Sequence, residues 1–584
     1  MIFNCIVSDL VDDVLFHINK DKVNFIRPEK KNDVFFREND DFVFCIVGHT
    51  YIADSDSLCM EVVMDYVEVH AKTKDIETIA DSFIGGVWSF YCFSKSTNVL
   101  HVFSDLLSIK TVFYSFNQTS FKVGGSQFDV TQNANFSKTA IREYLDIGYL
   151  ALHDSLFEDV KRLDVSEKVS FSVNDYRLLL DFMGYAEYPD IKDRYKDISS
   201  VSSFIDNTFD DIFERISKDS KVACGLSGGY DSRYIAVKLK DKNVKYITYD
   251  NPGTKEYDVA RRVALALGND TKKVDIDSSA VTGALEGFSV RLGTQDNLNS
   301  SHISSLFDAI HNEKPSLIVD GFIGGAVVGG SYYYKIKNGS DSFFRVMFCL
   351  DYYVSAKKDI SFYVDYLFND ILGFSQDVLE SLYSHFYGLV FKKVSILHEK
   401  SKTHADMLES LRYHYRGRLL IAGGPCYFSY GLTTLLPFVD KRLFLYCMRV
   451  DKRLRAGDCL YNNIFKKYYP IVSGIEKERT QAKATDPYIF YRIKSILTSV
   501  KRKFVSLSSA SKAGGDIEDF QDVYIENDRV VSLLSKCFAD GDFIKTYDID
   551  LNVYDSSMRK LKLLSFYQLV QHAGVKNANS LPSS

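Results

Sequence analysis

No Cys-x-x-Cys pair and no His-Glu-x-x-His run occurs anywhere in the 584 residues, although ten cysteines are scattered along them. The usual thiolate zinc spacings and zincin-type catalysis are thereby excluded, and the cysteines read as buried, reduced thiols of a cytoplasmic protein. Long basic runs are missing as well. With 71 basic and 77 acidic residues the net charge is −6, which gives no electrostatic footprint for a nucleic-acid backbone and favours a small-molecule or peptide substrate. The N-terminal Met-Ile-Phe-Asn-Cys-Ile-Val has no basic leader ahead of its apolar stretch, so a secretory signal is not expected. Internal repeats are absent. One uncharged run, Leu419 to Val439, is long enough to cross a bilayer. Its Gly423-Gly424-Pro425, Pro437 and hydroxyl residues fit a buried loop and helix instead, so no membrane span is expected.

What is present is an ordinary globular mixture, 46% hydrophobic and 25% charged, in a chain too long for a single core. Up to about Asp190 the pattern is one of short strands, among them Phe42–Val47, Val87–Phe93, Val99–Phe103 and Lys168–Val173. The polar stretch Pro189–Ser199 reads as a linker before a helix from about Val201 to Ile216. Next come a strand at Lys221–Leu226, a helix at Tyr230–Lys240, a strand at Val244–Thr248 and a helix at Tyr257–Leu267. Such alternation implies a parallel sheet with helices on its faces. Beyond about Phe343 helical spacing dominates, and the Ser- and Gly-containing stretch Ser506–Gly515 reads as a mobile loop. The expected domains are 1–190, rich in β structure, and 200–584, of α/β type with a helical extension.

The candidate site lies between the first strand and helix of that α/β half, at Leu226-Ser227-Gly228-Gly229-Tyr230-Asp231-Ser232. A loop of this kind can hold an anion on backbone N–H groups and a helix N-terminus. The paired glycines admit phosphate oxygens without Cβ clash, Ser227 and Ser232 can donate hydroxyl hydrogen bonds, and Asp231 can bind a magnesium ion bridging phosphates. It is not a Walker A loop, which ends in Gly-Lys-Ser or Gly-Lys-Thr. A Gly-Gly turn with polar decoration is the plain structural alternative.

The full run resembles the Ser-Gly-Gly-x-Asp-Ser signature of the asparagine synthetase family, and the resemblance extends over most of the chain. Tyr249-Asp250 and the helix start at Glu256 resemble the family's second βα unit; Leu436-Pro437-Phe438-Val439-Asp440 looks like its Pro-Phe-Leu-Asp element; Lys477-Glu478-Arg479-Thr480-Gln481-Ala482-Lys483 is similar to its basic segment near the phosphates. Two departures stand out. Gly325-Ala326 occupies the place of an Asp-Glu pair whose Asp is the family's second magnesium ligand, with Asp320 nearby in another register. Thr433 stands where the family usually has Glu, a residue that in β-lactam synthetase helps activate an amine.

In the N-terminal half Gly48-His49-Thr50-Tyr51, Phe83–Phe90 and Tyr144–Arg162 resemble the family's glutamine amidotransferase domain, which implies a four-layer sandwich of two antiparallel sheets between helices. That chemistry needs an N-terminal cysteine whose own amine is the base. Position 2 is Ile2, the oxyanion-hole Asn aligns with Val47 and the glutamine-binding Asp with Gly85, so glutaminase activity is not expected; Cys5 would serve only after cleavage.

The resemblance implies an ATP-dependent, magnesium-requiring ligase that converts a carboxylate to its acyl-adenylate, releases pyrophosphate and passes the acyl group to ammonia or a substrate amine. Residues 226–232 would bind ATP, Asp231 the magnesium, and Lys483 or Arg479 would neutralise the departing pyrophosphate. A homodimer is one assembly this allows. Two alternatives keep the loop: a nucleotide-binding pseudoenzyme, and another pyrophosphatase-class reaction such as tRNA thiolation.

Overall fold

The computed structural model describes the chain apart from residues 251–254, 335–354, 499–518, 579–584 and shorter stretches elsewhere; the expected loop at Ser506–Gly515 lies outside the described residues. Among those described, the N-terminal half contains β1 (Ile2–Val7), β2 (Leu15–Asn19), β3 (Lys22–Arg27), β4 (Val34–Glu38), β5 (Phe42–Ile52), β6 (Phe83–Ser94), β7 (Val99–Ser104), β8 (Phe113–Phe116), β9 (Phe121–Gly124), β10 (Lys161–Arg162), β11 (Glu167–Ser172) and β12 (Arg177–Phe182). They form two six-stranded sheets, ordered β1-β3-β2-β9-β8-β10 and β12-β11-β7-β6-β5-β4. The second is antiparallel throughout, and the first is so except for the parallel β1–β3 pair.

β5 lacks a polar face because both of its faces are covered. Successive side chains of a strand point to opposite sides. Val43, Cys45 and Val47 therefore join Phe16, Phe25 and Val123 of the other sheet in one core. Phe44, Ile46 and Ile52 instead meet Met60, Met64 and Ile79 on the helices Met60–His70 and Ile76–Asp81. The opposite face of the first sheet, through Leu15, Ile26 and Phe113, packs on Tyr144 of the helix Lys138–Ile147 and on Leu563, Phe566 and Leu569 of the helix Ser557–Ala578. The chain's last described helix thus covers its first sheet.

The C-terminal half holds a parallel sheet of β13 (Val222–Gly225), β14 (Val244–Asp250), β15 (Thr271–Asp275), β16 (Leu317–Val319) and β17 (Thr434–Leu435), in the order β15-β14-β13-β16-β17. The chain winds outward from β13 in one direction through β14 and β15, and in the other through β16 and β17. The reversal falls between β13 and β16, where the loops leaving the carboxyl ends of two neighbouring strands diverge and open a crevice. Those loops are the Ser227–Asp231 run and the Gly-rich stretch 321–330.

The stretch 189–199, expected as a linker, is mostly exposed but is anchored to the C-terminal half at two residues. Arg194 is buried and paired with buried Asp406 at 2.6 Å, and Tyr195 exchanges backbone hydrogen bonds with Arg449 and Asp451, both at 3.0 Å. The helix that follows spans Ile198–Glu214 and starts earlier than its apolar pattern, because Asp197 caps it by accepting from the N–H groups of Ser199 and Ser200. The uncharged run 419–439 is broken into a π-helical turn, the helix Gly423–Ser429, β17 and the turn Pro437–Val439, all largely buried. No described helix is long and apolar enough to cross a membrane.

Candidate functional site

β13 delivers the loop, and the loop holds its own shape. The Ser227 N–H donates to Ser232 Oγ at 3.0 Å, the two hydroxyls lie 2.9 Å apart, and the Gly229 N–H donates to Ser227 Oγ at 3.2 Å. Leu226 is buried and its N–H donates to Ile247 of β14 at 2.9 Å. Gly229 is the N-cap of the helix Tyr230–Lys238 and supplies no side-chain cap. The first-turn N–H groups are therefore left without a capping side chain, the arrangement that suits an anion. The glycines differ in what they permit. A Cβ on Gly228 would lie 2.4 Å from Glu478 Cβ, and Gly228 accepts a backbone hydrogen bond from Glu478. Its bareness admits the 477–479 segment, whereas a Cβ on Gly229 would meet only Ser227 Oγ, at 3.2 Å.

Ser227 to Asp231 line a cavity of about 270 Å³ together with Glu256, Gly325, Ser331, Asp458 and the run Lys477 to Arg479. Asp231 accepts from the Tyr461 hydroxyl at 2.7 Å on Oδ1. Burial raises its pKa, Lys477 opposes the rise, and the charge of Asp458 adds to it. Burial, and then the charge of Glu478, likewise raise that of Glu256. Lys477 reaches Asp458 Oδ2 at 2.7 Å and lies 4.9 Å from the centre of the Tyr230 ring. Arg479 is on the wall; Lys483 is exposed and off it, its N–H bound to Asp486 at 3.0 Å. The lysine at the cavity is thus Lys477. Asp320 is off the wall too, accepting from the Phe322 N–H at 2.8 Å, with its pKa pushed up to about 6 by burial and by Asp231.

Beneath the cavity a buried ionic cluster sets the Gly-rich turn. Arg455 donates to the carbonyl of Ala326 at 2.6 Å and pairs with Glu409 at 2.5 Å, and Lys452 also pairs with Glu409. Three residues after Arg455, Asp458 adopts a left-handed conformation (φ 61°) and is the N-cap residue of the helix Cys459–Tyr468, whose Tyr461 serves Asp231. Asp458 and Tyr461 carry no sequence signal of a site. Among the described residues no group of three or more His, Cys, Asp or Glu is arranged to hold a metal ion.

The residues that the resemblance sets at a glutaminase site, and Cys5, have other surroundings. Val47 points into the core between the sheets. A Cβ on Gly85 would lie 2.3 Å from the Tyr51 ring. Cys5 has its thiol pKa raised by burial, the reverse of activation. Thr433 bonds His49 Nε2 at 2.9 Å and does not line the cavity of the Ser227–Asp231 loop.

Residues 205–477 match the asparagine synthase family model. A Methanocaldococcus jannaschii protein assigned as a glutamine-hydrolysing asparagine synthetase is 23% identical over 163 residues, 27% of this chain and 31% of that protein, so the match spans about a third of the relative's length. Two solved structures overlap parts of the fold, with TM-scores far below that of a shared overall fold. The NH3-dependent NAD synthetase of Campylobacter jejuni is 16% identical, over 34% of this chain and 97% of that one, with a TM-score of 0.18. The glutamine phosphoribosylpyrophosphate amidotransferase of B. subtilis is 10% identical, over 41% and 62%, with a TM-score of 0.16. The matched segment, residues 205–477, carries both Gly-rich loops and Lys477, and it is this part of the chain that is asparagine synthetase-like.

Proposed function

We propose that the chain is an ATP-dependent ligase that activates a carboxylate as its acyl-adenylate and transfers the acyl group to ammonia or a substrate amine. The observation that carries this reading is the cavity in which the uncapped helix start at Gly229, the loop hydroxyls, Lys477 and Arg479 converge. In the proposed step a carboxylate oxygen attacks the α-phosphorus of ATP, the bond to the bridging oxygen breaks, and pyrophosphate leaves with the electron pair. Lys477, Arg479 and the first-turn N–H groups are fixed where that negative charge gathers, which is how preorganised donors lower a barrier. The amine nitrogen then attacks the acyl carbon, AMP leaves, and the nitrogen gives up a proton.

Magnesium fits these residues. Four carboxylates on the cavity wall face two basic groups, so a polyphosphate enters with cation charge to accompany it. Asp231 would hold the ion, which when bound neutralises phosphate charge. The N-terminal residues 1–190 are proposed to form an amidotransferase-type sandwich without glutaminase activity, joined to a ligase unit at 200–584.

A nucleotide-binding pseudoenzyme is the second reading, favoured by Gly325-Ala326 in place of a carboxylate pair. Exchange of labelled pyrophosphate into ATP separates the two, since adenylation is reversible while pyrophosphate is held. Carboxylate-dependent exchange that disappears in Ser227→Ala/Asp231→Ala is the expected result. Tight ATP binding with no exchange across sugar acids, amino acids and peptides would overturn the ligase reading.

A further inference from the structure

The ligase reading leaves an imbalance at the crevice. The turn beside Asp231 offers glycine and alanine at 325 and 326, while the cavity wall also carries Asp458, which no motif predicts. We propose that Asp458 is the second protein carboxylate for the divalent cation that accompanies ATP, taking from another element the role for which position 325 has no side chain. The proposal rests on the nucleotide reading of the cavity.

Three observations converge on it. First, Asp231 and Asp458 line the same 270 Å³ space, and both are tied to the start of one helix: Asp458 as its N-cap residue and Asp231 through Tyr461 in its first turn. Second, bare backbone stands beside an oxygen of each. A Cβ on Gly325 would lie 3.2 Å from Asp231 Oδ2, and one on Gly329 would lie 2.8 Å from Asp458 Oδ1. Glycine at these positions leaves both carboxylates uncrowded, and at 329 it also spares the Gly325 carbonyl, which a Cβ would approach to 2.8 Å. Third, Arg455 joins the two walls, binding the Ala326 carbonyl of one turn while standing three residues before Asp458. Asp458 Oδ2 meanwhile accepts from Lys477 and from the Tyr491 hydroxyl, both at 2.7 Å.

Two carboxylates do not make a cage, and magnesium does not need one. It is commonly bound by one or two carboxylates plus substrate phosphates and keeps several waters. The site is therefore completed by the nucleotide and has no metal-binding set of its own, in keeping with the lack of a larger ligand cluster among the described residues. Asp458 would then share its charge between the cation and Lys477, which it holds at the cavity wall.

The competing role, in which Asp458 is only the partner that holds Lys477, predicts an opposite sign. Asp458→Asn is the apt variant, because Asn tolerates the left-handed conformation that Asp458 adopts. ATP affinity is measured by calorimetry on the full chain, in EDTA and in Mg2+. A ligand role requires Mg2+·ATP binding at least tenfold weaker in Asp458→Asn, with metal-free ATP binding unchanged or tighter. Asp458→Cys should show the same loss in Mg2+ and recover with Cd2+, which a thiolate prefers. Asp458→Asn binding Mg2+·ATP as tightly as the unaltered chain, weakening in EDTA and Mg2+ alike, or a loss in Asp458→Cys that Cd2+ does not restore would each overturn the assignment. An unaltered chain that binds no ATP in either condition overturns the nucleotide reading itself.

Discussion

The Tyr51 hydroxyl donates to Asp440 Oδ2 at 2.8 Å, joining β5 to the cap of a helix 389 residues away. Asp440 is fully buried and also accepts from the backbone N–H groups of Arg442 and Leu443 at the start of the helix Lys441–Met448. The Tyr51 ring, with the Arg215 guanidinium 5.4 Å from its centre, fills the ground beside Gly85. A carboxylate at 85 and a ring at 51 could not coexist in this packing. The bond therefore holds the Tyr51 ring in the place that a side chain at 85 would need.

Purified protein is accordingly expected to release no glutamate from glutamine in a coupled assay. A rate that vanishes in Cys5→Ala would restore an N-terminally processed nucleophile. Tyr51→Phe should lower stability by about 1–3 kcal/mol, the usual cost of a buried acceptor deprived of its donor, with the lower end expected because Asp440 keeps Arg442 and its backbone donors. Urea unfolding measures it.

Lys477→Met should slow pyrophosphate exchange by about a hundredfold or more, as removal of an oxyanion-type donor does, and Lys483→Ala should exchange close to the unaltered rate. The reverse ordering would mean that the segment turns its other face to the nucleotide.

Glu409→Gln is expected to destabilise the fold by about 3–5 kcal/mol, because it strands Arg455 and Lys452 in a buried site. Burial alone would raise the Glu409 pKa, but Arg455 and Lys452 outweigh it and hold it down at about 2. A depressed carboxylate adds stability above its unfolded pKa, and that stability drains away as pH falls from about 4.5 towards 2. Unfolding at pH 7 and pH 3 should therefore show a larger gap for the unaltered protein than for Glu409→Gln. Equal gaps would refute the pairing as the source.

Asp296 works with the opposite sign. Burial pushes its pKa up to about 7, against hydrogen bonds from Asn297 and Ser300. The folded chain keeps a proton that the unfolded chain releases near pH 4, so stability falls as pH rises from about 4 to 7. Asp296→Asn should be more stable than the unaltered protein at pH 8, by up to roughly 4 kcal/mol at 1.36 kcal/mol per unit, and much closer to it at pH 4. Thermal melts across that range check it; identical curves would show that Asp296 is ionised throughout.

The Ser227–Ser232 loop and its βα surroundings were legible because local rules suffice there: β13 ends, two glycines follow, and a helix starts at Tyr230. Of the two expected basic groups, Lys483 and Arg479, only Arg479 reaches the cavity wall, and the presence of Lys477 there was not legible. Left-handed Gln481 and a hydrogen bond from the Lys477 N–H to the Ala482 carbonyl fold the segment back, so that 477–479 face inward and 483 faces out. Polarity made 189–199 look like a linker, and most of it is exposed; what polarity did not reveal is that Arg194 is held by Asp406, 212 residues away. Asp458 belongs to no motif, and only the turn that precedes its helix brings it to the cavity.

The helix Ser557–Ala578, which packs on Leu15, Ile26 and Phe113 of the first sheet, has a consequence for how the chain is made. At roughly 5–20 residues per second of synthesis, the ribosome adds the residues separating β9 from that helix in something on the order of half a minute or more. Throughout that interval one face of the earliest sheet waits for its last cover, with Phe128, Tyr144, Leu156 and Phe157 packed there meanwhile. A nascent chain halted before Ser557 is expected to be sticky there, and chaperone demand should fall when the last helix leaves the exit tunnel.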